Sequence, residues 1–128
     1  MTRIDEIRRE AEQIQEYLEI TISDGVNEMM GRLETLGIYY ARSGSLHSEV
    51  IGMRDAAVAK VFHDEKEAIL SLSPSLAGKM ITGHTSELNR IEKWLDRINA
   101  SCKAQCDNLR TLISFEKERY IESKKGVR

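Results

Sequence analysis

The stretch GKMITGHT, Gly78 to Thr85, comes close to the phosphate-binding loop GxxxxGK[ST]. In that loop a lysine follows the second glycine and contacts the β- and γ-phosphates, and a strand precedes the first glycine. His84 stands at the lysine position, and the preceding SLSPSLA is typical of a helix start, because proline suits the first helical turn. We therefore interpret this stretch as a two-glycine break between helices and not as a nucleotide site.

Two cysteines, Cys102 and Cys106, lie one helical turn apart on an apolar stripe. A structural zinc site needs four ligands, and no further ligands follow at the spacing of a metal motif. A disulfide within a single helical turn would be strained. We therefore expect two small buried thiols. The alternative is a site that gathers four thiols from two chains.

The segment HDEKE, 63–67, is the densest polar cluster of the central region. His63 and Glu67 share a helix face, as metal ligands can, but the sequence contains no Glu-x-x-His pair of the kind that di-iron bundles use. We interpret the segment as a solvated helix face. Motifs for a nucleophilic serine are also absent from the sequence. We predict that the protein is not an enzyme and has no catalytic residue, cofactor or metal.

Size and composition favour one helical domain over residues 1–128. Charged residues make up 31% of the chain and hydrophobic residues 41%, and there is a single proline. No apolar run approaches the roughly 20 residues that span a bilayer. The N-terminal MTRIDEIRREAEQ is charged from its third residue, unlike a secretory signal. We expect a cytoplasmic protein without membrane contact.

Apolar residues recur every three or four positions along most of the chain, which predicts an all-α fold. We expect a bundle of about four helices plus a short helical piece, with one long C-terminal helix. The predicted helices cover about 3–22, 25–42, 46–71, 75–82 and 85–122, and a tail follows at 123–128.

Caps and turn residues set these boundaries. Thr2 and Asp5 fit a capping box at the first helix, and Asp24 is a plausible cap for the second. The stretch RSGS, 42–45, combines turn residues that favour a break. Gly31 and Gly37 weaken the second helix, so we expect a neighbouring helix to pack closely there.

The last predicted helix carries an apolar stripe almost to the C-terminus and is about 57 Å long, about twice the length of the first helix. Either the second and third helices pack along the rest of this helix, or another chain does. We predict a homo-oligomer, with Leu109, Arg110, Leu112, Ile113 and Tyr120 at its interface. Arg110 either pairs with Asp107 on its own helix or crosses to another helix or subunit.

Charge is distributed unevenly at the C-terminal end. The formal net charge of −2 argues against a protein that coats nucleic acid by charge alone. A basic cluster nevertheless offers a possible contact with phosphates through Lys117, Arg119, Lys124, Lys125 and Arg128.

The segment LNRIEKWLDRINASCKAQCDNLRTLISFEKERY resembles the C-terminal helix of small helical proteins encoded by phages and prophages. The shared feature is an arginine followed by an apolar pair and a serine, after a polar stretch with glutamine and aspartate. YYARSGSLHSEVIGMRDAAVAKVF resembles the second and third helices of such proteins.

Genes of this kind often lie near phage recombination or single-strand DNA-binding functions. The resemblance implies an accessory role in phage or mobile-element DNA metabolism, or in countering host defence, and supplies no catalytic residues. We therefore predict a non-enzymatic helical interaction or assembly protein. The alternative is a nucleic-acid-binding accessory protein that uses the basic C-terminal end.

Overall fold

The computed structural model describes residues 1–126 of the chain, and over that range it contains helices and no strand. The helices are α1 Arg3–Leu18, α2 Val26–Asp64, α3 Lys66–Ser71, α4 Pro74–His84 and α5 Ser86–Lys125. The prediction of an all-α fold is confirmed. Within the described residues, each helix is either too short or too polar to cross a bilayer.

Helices α2 and α5 form a long antiparallel pair, and α1 packs along it. At 1.5 Å per residue, α2 is about 58 Å long and α5 about 60 Å. One core cluster joins all three helices and consists of Ile7, Ala11, Ile14, Leu46, Val50, Ile91, Leu95, Ile98 and Cys102. A second cluster lies mainly between α2 and α5 and consists of Met29, Leu36, Cys106, Leu109 and Ile113. The apolar stripes that predicted the first and last helices supply most of these residues.

Helix α1 is fixed at its N-terminal end by a cap and along its length by ion pairs. Thr2 and Asp5 form the predicted capping box. Arg3 donates two hydrogen bonds to the carboxylate of Glu49 on α2, at 2.6 and 2.9 Å. An equivalent fork joins Arg42 of α2 to a carboxylate of α1. These bidentate pairs orient α1 on α2.

Helix α1 ends at Leu18, so the predicted helix over 3–22 is too long. Residues 20–22 are β-branched, which lowers their preference for a helix. The buried guanidinium of Arg32 donates to the carbonyl oxygens of Tyr17 and Leu18, at 3.3 and 3.4 Å. These bonds satisfy carbonyl groups at the end of α1 and let the chain leave the helix there.

Helix α2 runs without interruption through residues 42–45, so the break predicted between the helices 25–42 and 46–71 is wrong. Ser43 is fully buried at this point, and its hydroxyl accepts a hydrogen bond from the side-chain amide of Asn99 at 3.1 Å. A Cβ on Gly44 would lie 3.4 Å from the same amide nitrogen. The small residues are therefore present because α5 approaches α2 closely, and not because the helix ends.

The helix predicted to reach residue 71 ends at Asp64, and Glu65 separates it from α3. The two helices are antiparallel, and Asn99 of α5 contacts Ser43 of α2. The first residue of α5, Ser86, therefore lies opposite the residues of α2 just after Arg54. The last turns of α2 therefore have no part of α5 beside them, and the chain turns back so that α3 and α4 pack there. The turn falls within the polar segment HDEKE.

The remaining predicted helices are close to those observed. The helix predicted over 75–82 corresponds to α4, which Pro74 opens and the side-chain oxygen of Ser73 caps. The helix predicted over 85–122 corresponds to α5. Helix α5 continues into the predicted tail 123–128, of which the last two residues lie outside the described range.

Two smaller expectations about α2 are wrong. A Cβ at Gly31 or Gly37 would meet no atom within 4 Å, so neither glycine is required for close packing within this chain. Gly25, and not Asp24, is the residue that precedes the first helical position, and it makes no side-chain capping bond. The N-terminal end of α2 thus lacks a side-chain cap.

Candidate functional site

Helix α5 projects beyond the end of α2. The two helices are antiparallel, and Gln105 of α5 accepts a hydrogen bond from Arg32 of α2 at 2.9 Å. Val26, the first residue of α2, lines the same groove as Glu116. The stretch Lys117–Lys125 therefore has no part of α2 alongside it, over a length of about 13 Å. We call this stretch the projecting end of α5.

An open groove of about 670 Å³ lies where α5 passes the start of α2. The groove is lined by Val26, Glu116, Lys117, Arg119, Tyr120, Ile121 and Ser123. Tyr120 lies two helical turns beyond Ile113 and continues the same stripe, yet it is 61% exposed. The groove is therefore the uncovered continuation of the apolar seam between α2 and α5.

The structure divides the predicted interface residues into two groups. Leu109 and Ile113 are 7% and 8% exposed and belong to the internal cluster against α2. Leu112 and Tyr120 are 43% and 61% exposed. The first pair is already covered within the chain, so the surface available to a partner is the second pair and its neighbours.

Arg110 lies beside this seam and pairs with Asp107 on the same helix at 3.2 Å. Both side chains are more than half exposed, so the ion pair contributes little to stability. The local pair was one of the two interpretations that the sequence allowed. A contact of Arg110 with another subunit stays a prediction.

Two exposed apolar residues were missed by the sequence analysis. Phe115 is 58% exposed and Ile121 is 53% exposed. Both lie off the stripe that the three- and four-residue spacing selects, so a search for a buried face does not find them. Ile121 lines the groove beside Tyr120, whereas Phe115 lies on another side of α5, beside Arg110 and Glu118.

Basic side chains lie around Tyr120. The Nζ atom of Lys124 lies 5.1 Å from the centroid of the Tyr120 ring, within the range of a cation–π contact. Arg119 donates a hydrogen bond to Glu116 at 3.1 Å. The predicted nucleic-acid contacts within the described range are all exposed, namely Lys117, Arg119, Lys124 and Lys125. The fifth, Arg128, lies outside the described residues.

The chain beside the groove is acidic. Residues 16–28, which lead from α1 into α2, contain four acidic residues and no lysine or arginine. Two of them, Asp24 and Glu28, are exposed and lie within two residues of Val26. The groove thus has apolar and basic side chains of α5 along its length, and we call the two exposed acidic residues that flank Val26 in sequence, Asp24 and Glu28, its rim.

The residues that suggested a phosphate-binding loop or a thiol site lie within helices. Gly78 to His84 lie inside α4 and not in a loop. Cys102 and Cys106 are buried thiols, and burial, followed by the neighbouring thiol, raises the pKa of Cys102 above its ordinary value. Among residues 1–126, no three histidine, cysteine or acidic side chains are placed to hold a metal ion.

A polar link between α2 and α5 joins residues that are far apart in sequence. The Nε2 atom of His47 lies 2.9 Å from one carboxylate oxygen of Glu92, and the Arg54 guanidinium lies 3.7 Å from the other. These side chains are between 20% and 30% exposed. The link clamps the two long helices near the start of α5, at the end of the pair away from the groove.

Comparison with known proteins identifies no relative. No protein-family model, curated protein or solved structure matches this chain. The groove and the projecting end of α5 combine exposed apolar side chains with a polar and basic surround, as protein contact surfaces do.

Proposed function

We propose that this chain is a non-enzymatic helical interaction protein that assembles with other protein chains, first of all its own copies, through the projecting end of α5. The observation that carries the proposal is the change in burial along one stripe. Leu109 is 7% exposed and Tyr120 is 61% exposed, because α2 begins at Val26 and covers only the first of them. Exposed apolar surface rimmed by polar residues is typical of protein contact sites.

Helix energetics support this assignment. Most helical stability in proteins comes from tertiary packing, and the last turns of α5, Lys117–Lys125, have no helix of this chain packed along them. Fully burying an exposed apolar side chain of the size of Tyr120 or Ile121 contributes about 1.5–3 kcal/mol, and these two, at 61% and 53% exposed, have roughly half of that to gain. A partner in the groove would therefore stabilise the projecting end and remove two large side chains from water.

The biological setting that we propose comes from the sequence resemblance. The last helix and the 24-residue segment that begins at Tyr39 are similar to small helical proteins of phages and prophages. We place the protein among accessory factors of a phage or mobile element that act in the cytoplasm through protein contacts. The groove is the surface that such contacts would use.

Sedimentation equilibrium tests the proposal. We expect the average mass of the native chain to rise above the monomer mass of 14.6 kDa as concentration increases. Tyr120→Glu places a charge in the middle of the groove and should prevent this rise. The matched control is Leu70→Glu, which adds the same charge at an apolar side chain of α3 that is 74% exposed. The control should assemble as the native chain does.

Two results would contradict the proposal. One is a constant monomer mass for the native chain at every concentration. The other is a Tyr120→Glu variant that assembles as well as the native chain, because the contact would then lie elsewhere.

A second function, nucleic-acid binding, is favoured by one specific observation. Four exposed basic side chains surround an exposed tyrosine on a helix that stands clear of the rest of the chain. Cations that follow a phosphate backbone and an aromatic ring that stacks on a base are the parts of a single-strand binding surface. The net charge of −2 opposes this function, because the rest of the chain repels phosphates.

Fluorescence anisotropy with labelled single- and double-stranded oligonucleotides tests this second function. Phosphate contacts make affinity fall steeply with salt concentration. The function predicts binding at low salt that Lys124→Glu combined with Lys125→Glu removes. No binding at low salt eliminates it.

A further inference from the structure

We infer that the partner in the groove is the projecting end of α5 from a second copy of this chain, lying antiparallel so that the two ends fill each other's grooves. The inference rests on the proposed function and specifies its partner. The uncovered side of Lys117–Lys125 faces the groove, which is in line with α2 and lies beyond its first residue, Val26. A helix placed there runs antiparallel to α5 and ends where α2 begins.

The second copy supplies a helix of the required length. Its own α5 projects by the same distance, about 13 Å, and ends at Lys125. Two equal projections that overlap fully bring the end of each α5 to the start of the other copy's α2. The arrangement is an isologous dimer, which closes on itself and leaves no open end for further growth.

A twofold axis near Tyr120 brings complementary side chains together. Glu116, Tyr120 and Lys124 follow one another at four-residue intervals and so lie on one face of α5. In an antiparallel pair centred on Tyr120, the two tyrosines meet. Glu116 of each copy then lies opposite Lys124 of the other, so the apolar centre is flanked by two opposite-charge pairs.

The surrounding charges also match. The projecting end carries four basic and two acidic residues, and residues 16–28 of the chain carry four acidic and none basic. In the dimer the basic end of each copy lies beside Asp24 and Glu28 of the other, next to Val26. In addition, the negative C-terminal end of each α5 faces the N-terminal end of an α2 that has no side-chain cap.

A charge swap between two variants tests the inference. In the first variant, Lys124→Glu and Lys125→Glu make the projecting end acidic. In the second, Asp24→Lys, Glu28→Lys and Glu116→Lys make the rim of the groove basic and place a lysine opposite residue 124 of the other copy. Each variant alone brings like charges together at both contacts, so we expect its dimer to be at least about tenfold weaker than the native dimer.

An equimolar mixture of the two variants should restore association. In the mixed dimer the acidic end meets the basic rim, and the unchanged basic end meets the unchanged acidic rim. We expect its dissociation constant to lie within about threefold of the native value, measured by sedimentation velocity. As a control, Lys60→Glu with Lys66→Glu makes the same charge change at exposed positions away from the groove and should leave association unchanged.

Cross-linking tests the direction of the two helices. The native thiols are buried, so Glu116→Cys and Lys124→Cys each introduce one accessible cysteine. Under mild oxidation we expect disulfides between the two variants in a mixture and few within either variant alone. A parallel pair would give the opposite pattern and would overturn the inference.

The outcomes separate this inference from the proposed function. If the native chain associates and Tyr120→Glu blocks association, but the mixed charge variants bind no better than each one alone, the partner geometry is wrong and the interaction role survives. If the native chain stays monomeric from about 1 to about 500 µM, a range that covers the weak association typical of interfaces below about 1,200 Å², both are overturned.

Discussion

Replacing Arg32 with alanine tests how α1 is held against the two long helices. Arg32 belongs to α2, is 7% exposed and lies at the C-terminal end of α1. Its Nη2 atom donates to the side-chain oxygen of Gln105 at 2.9 Å. The same atom donates to the carbonyl oxygens of Tyr17 and Leu18, and the guanidinium lies 4.8 Å from the centroid of the Tyr17 ring. One cation therefore joins three helices.

Several contributions set the size of the effect. Arg32→Ala leaves the Gln105 side-chain oxygen without its donor, whereas the Tyr17 carbonyl keeps a bond from the Ile20 N–H at 3.1 Å and the Leu18 carbonyl keeps one from Gln105 at 3.2 Å. A buried acceptor without a partner costs about 1–3 kcal/mol, and loss of a partly desolvated cation–π contact costs about 1–2 kcal/mol. Loss of the packed aliphatic stem adds about 1–2 kcal/mol.

Relief of a buried charge offsets part of this loss. Arg32 has no carboxylate partner within the described part of the chain, and its Nη1 atom makes no hydrogen bond there. Removing such a charge returns roughly 2–3 kcal/mol of desolvation free energy. We therefore expect Arg32→Ala to lower the free energy of unfolding by about 2–4 kcal/mol.

Urea unfolding followed by far-UV circular dichroism measures this change, at a protein concentration low enough to keep the chain monomeric. The matched control is Arg42→Ala, which removes an exposed bidentate pair between α2 and Glu10 of α1. We expect the control to cost about 1 kcal/mol or less. A loss below about 1 kcal/mol for Arg32→Ala, or one no larger than the loss for Arg42→Ala, would refute the reasoning.

Three further predictions concern the packing of α1, α2 and α5. Hydrogen bonds from arginine partners lower the pKa values of Glu10 and Glu49, so their contribution to stability is present above the ordinary glutamate pKa and is lost as pH falls through the lowered values. The free energy of unfolding, measured with urea between about pH 5 and pH 3, should therefore depend less steeply on pH when Glu10 and Glu49 are both changed to glutamine. An unchanged dependence on pH would contradict this. Gly52→Ala should raise the urea midpoint by an amount that corresponds to about 0.5–1 kcal/mol, because a Cβ there meets no atom within 4 Å; a lower midpoint would show an unrecognised contact. Asn99→Ala removes the hydrogen bonds to the Ser43 hydroxyl and the Tyr40 carbonyl, so it should lower the free energy of unfolding by about 1–3 kcal/mol in the same assay. An unchanged free energy of unfolding would contradict this.

Periodicity predicted the helices whose buried face is a single stripe. The buried residues recur at three- and four-residue steps, namely Ile7, Ala11 and Ile14 on α1 and Leu95, Ile98 and Cys102 on α5. A stripe of this kind carries both the helical period and the side that packs, so local sequence suffices to find it. The capping box of α1 was predicted for the same reason, because its donors and acceptors lie within one turn.

The break predicted at 42–45 shows where local sequence fails. Serine and glycine favour turns, but they also permit two helices to approach closely. Only the position of Asn99, more than 50 residues away, decides between the two roles, because its amide bonds to Ser43. The role of Arg32 was equally hidden, since its acceptors come from α1 and α5.

The candidate site was predicted in part. The length of the last helix indicated apolar surface that the first helix could not cover, and Tyr120 was correctly placed on the seam. The register of α2 along α5 decides where that seam becomes exposed, and contacts between distant residues set the register. For that reason the predicted interface included Leu109 and Ile113, which α2 covers.

The central claim is that the exposed seam around Tyr120 makes a protein contact. Sedimentation equilibrium of the native chain beside Tyr120→Glu tests it most directly. We expect the average mass of the native chain to rise from 14.6 kDa towards twice that value with increasing concentration, while the variant remains at the monomer mass. A native chain that stays monomeric throughout, or a variant that associates equally well, would contradict it.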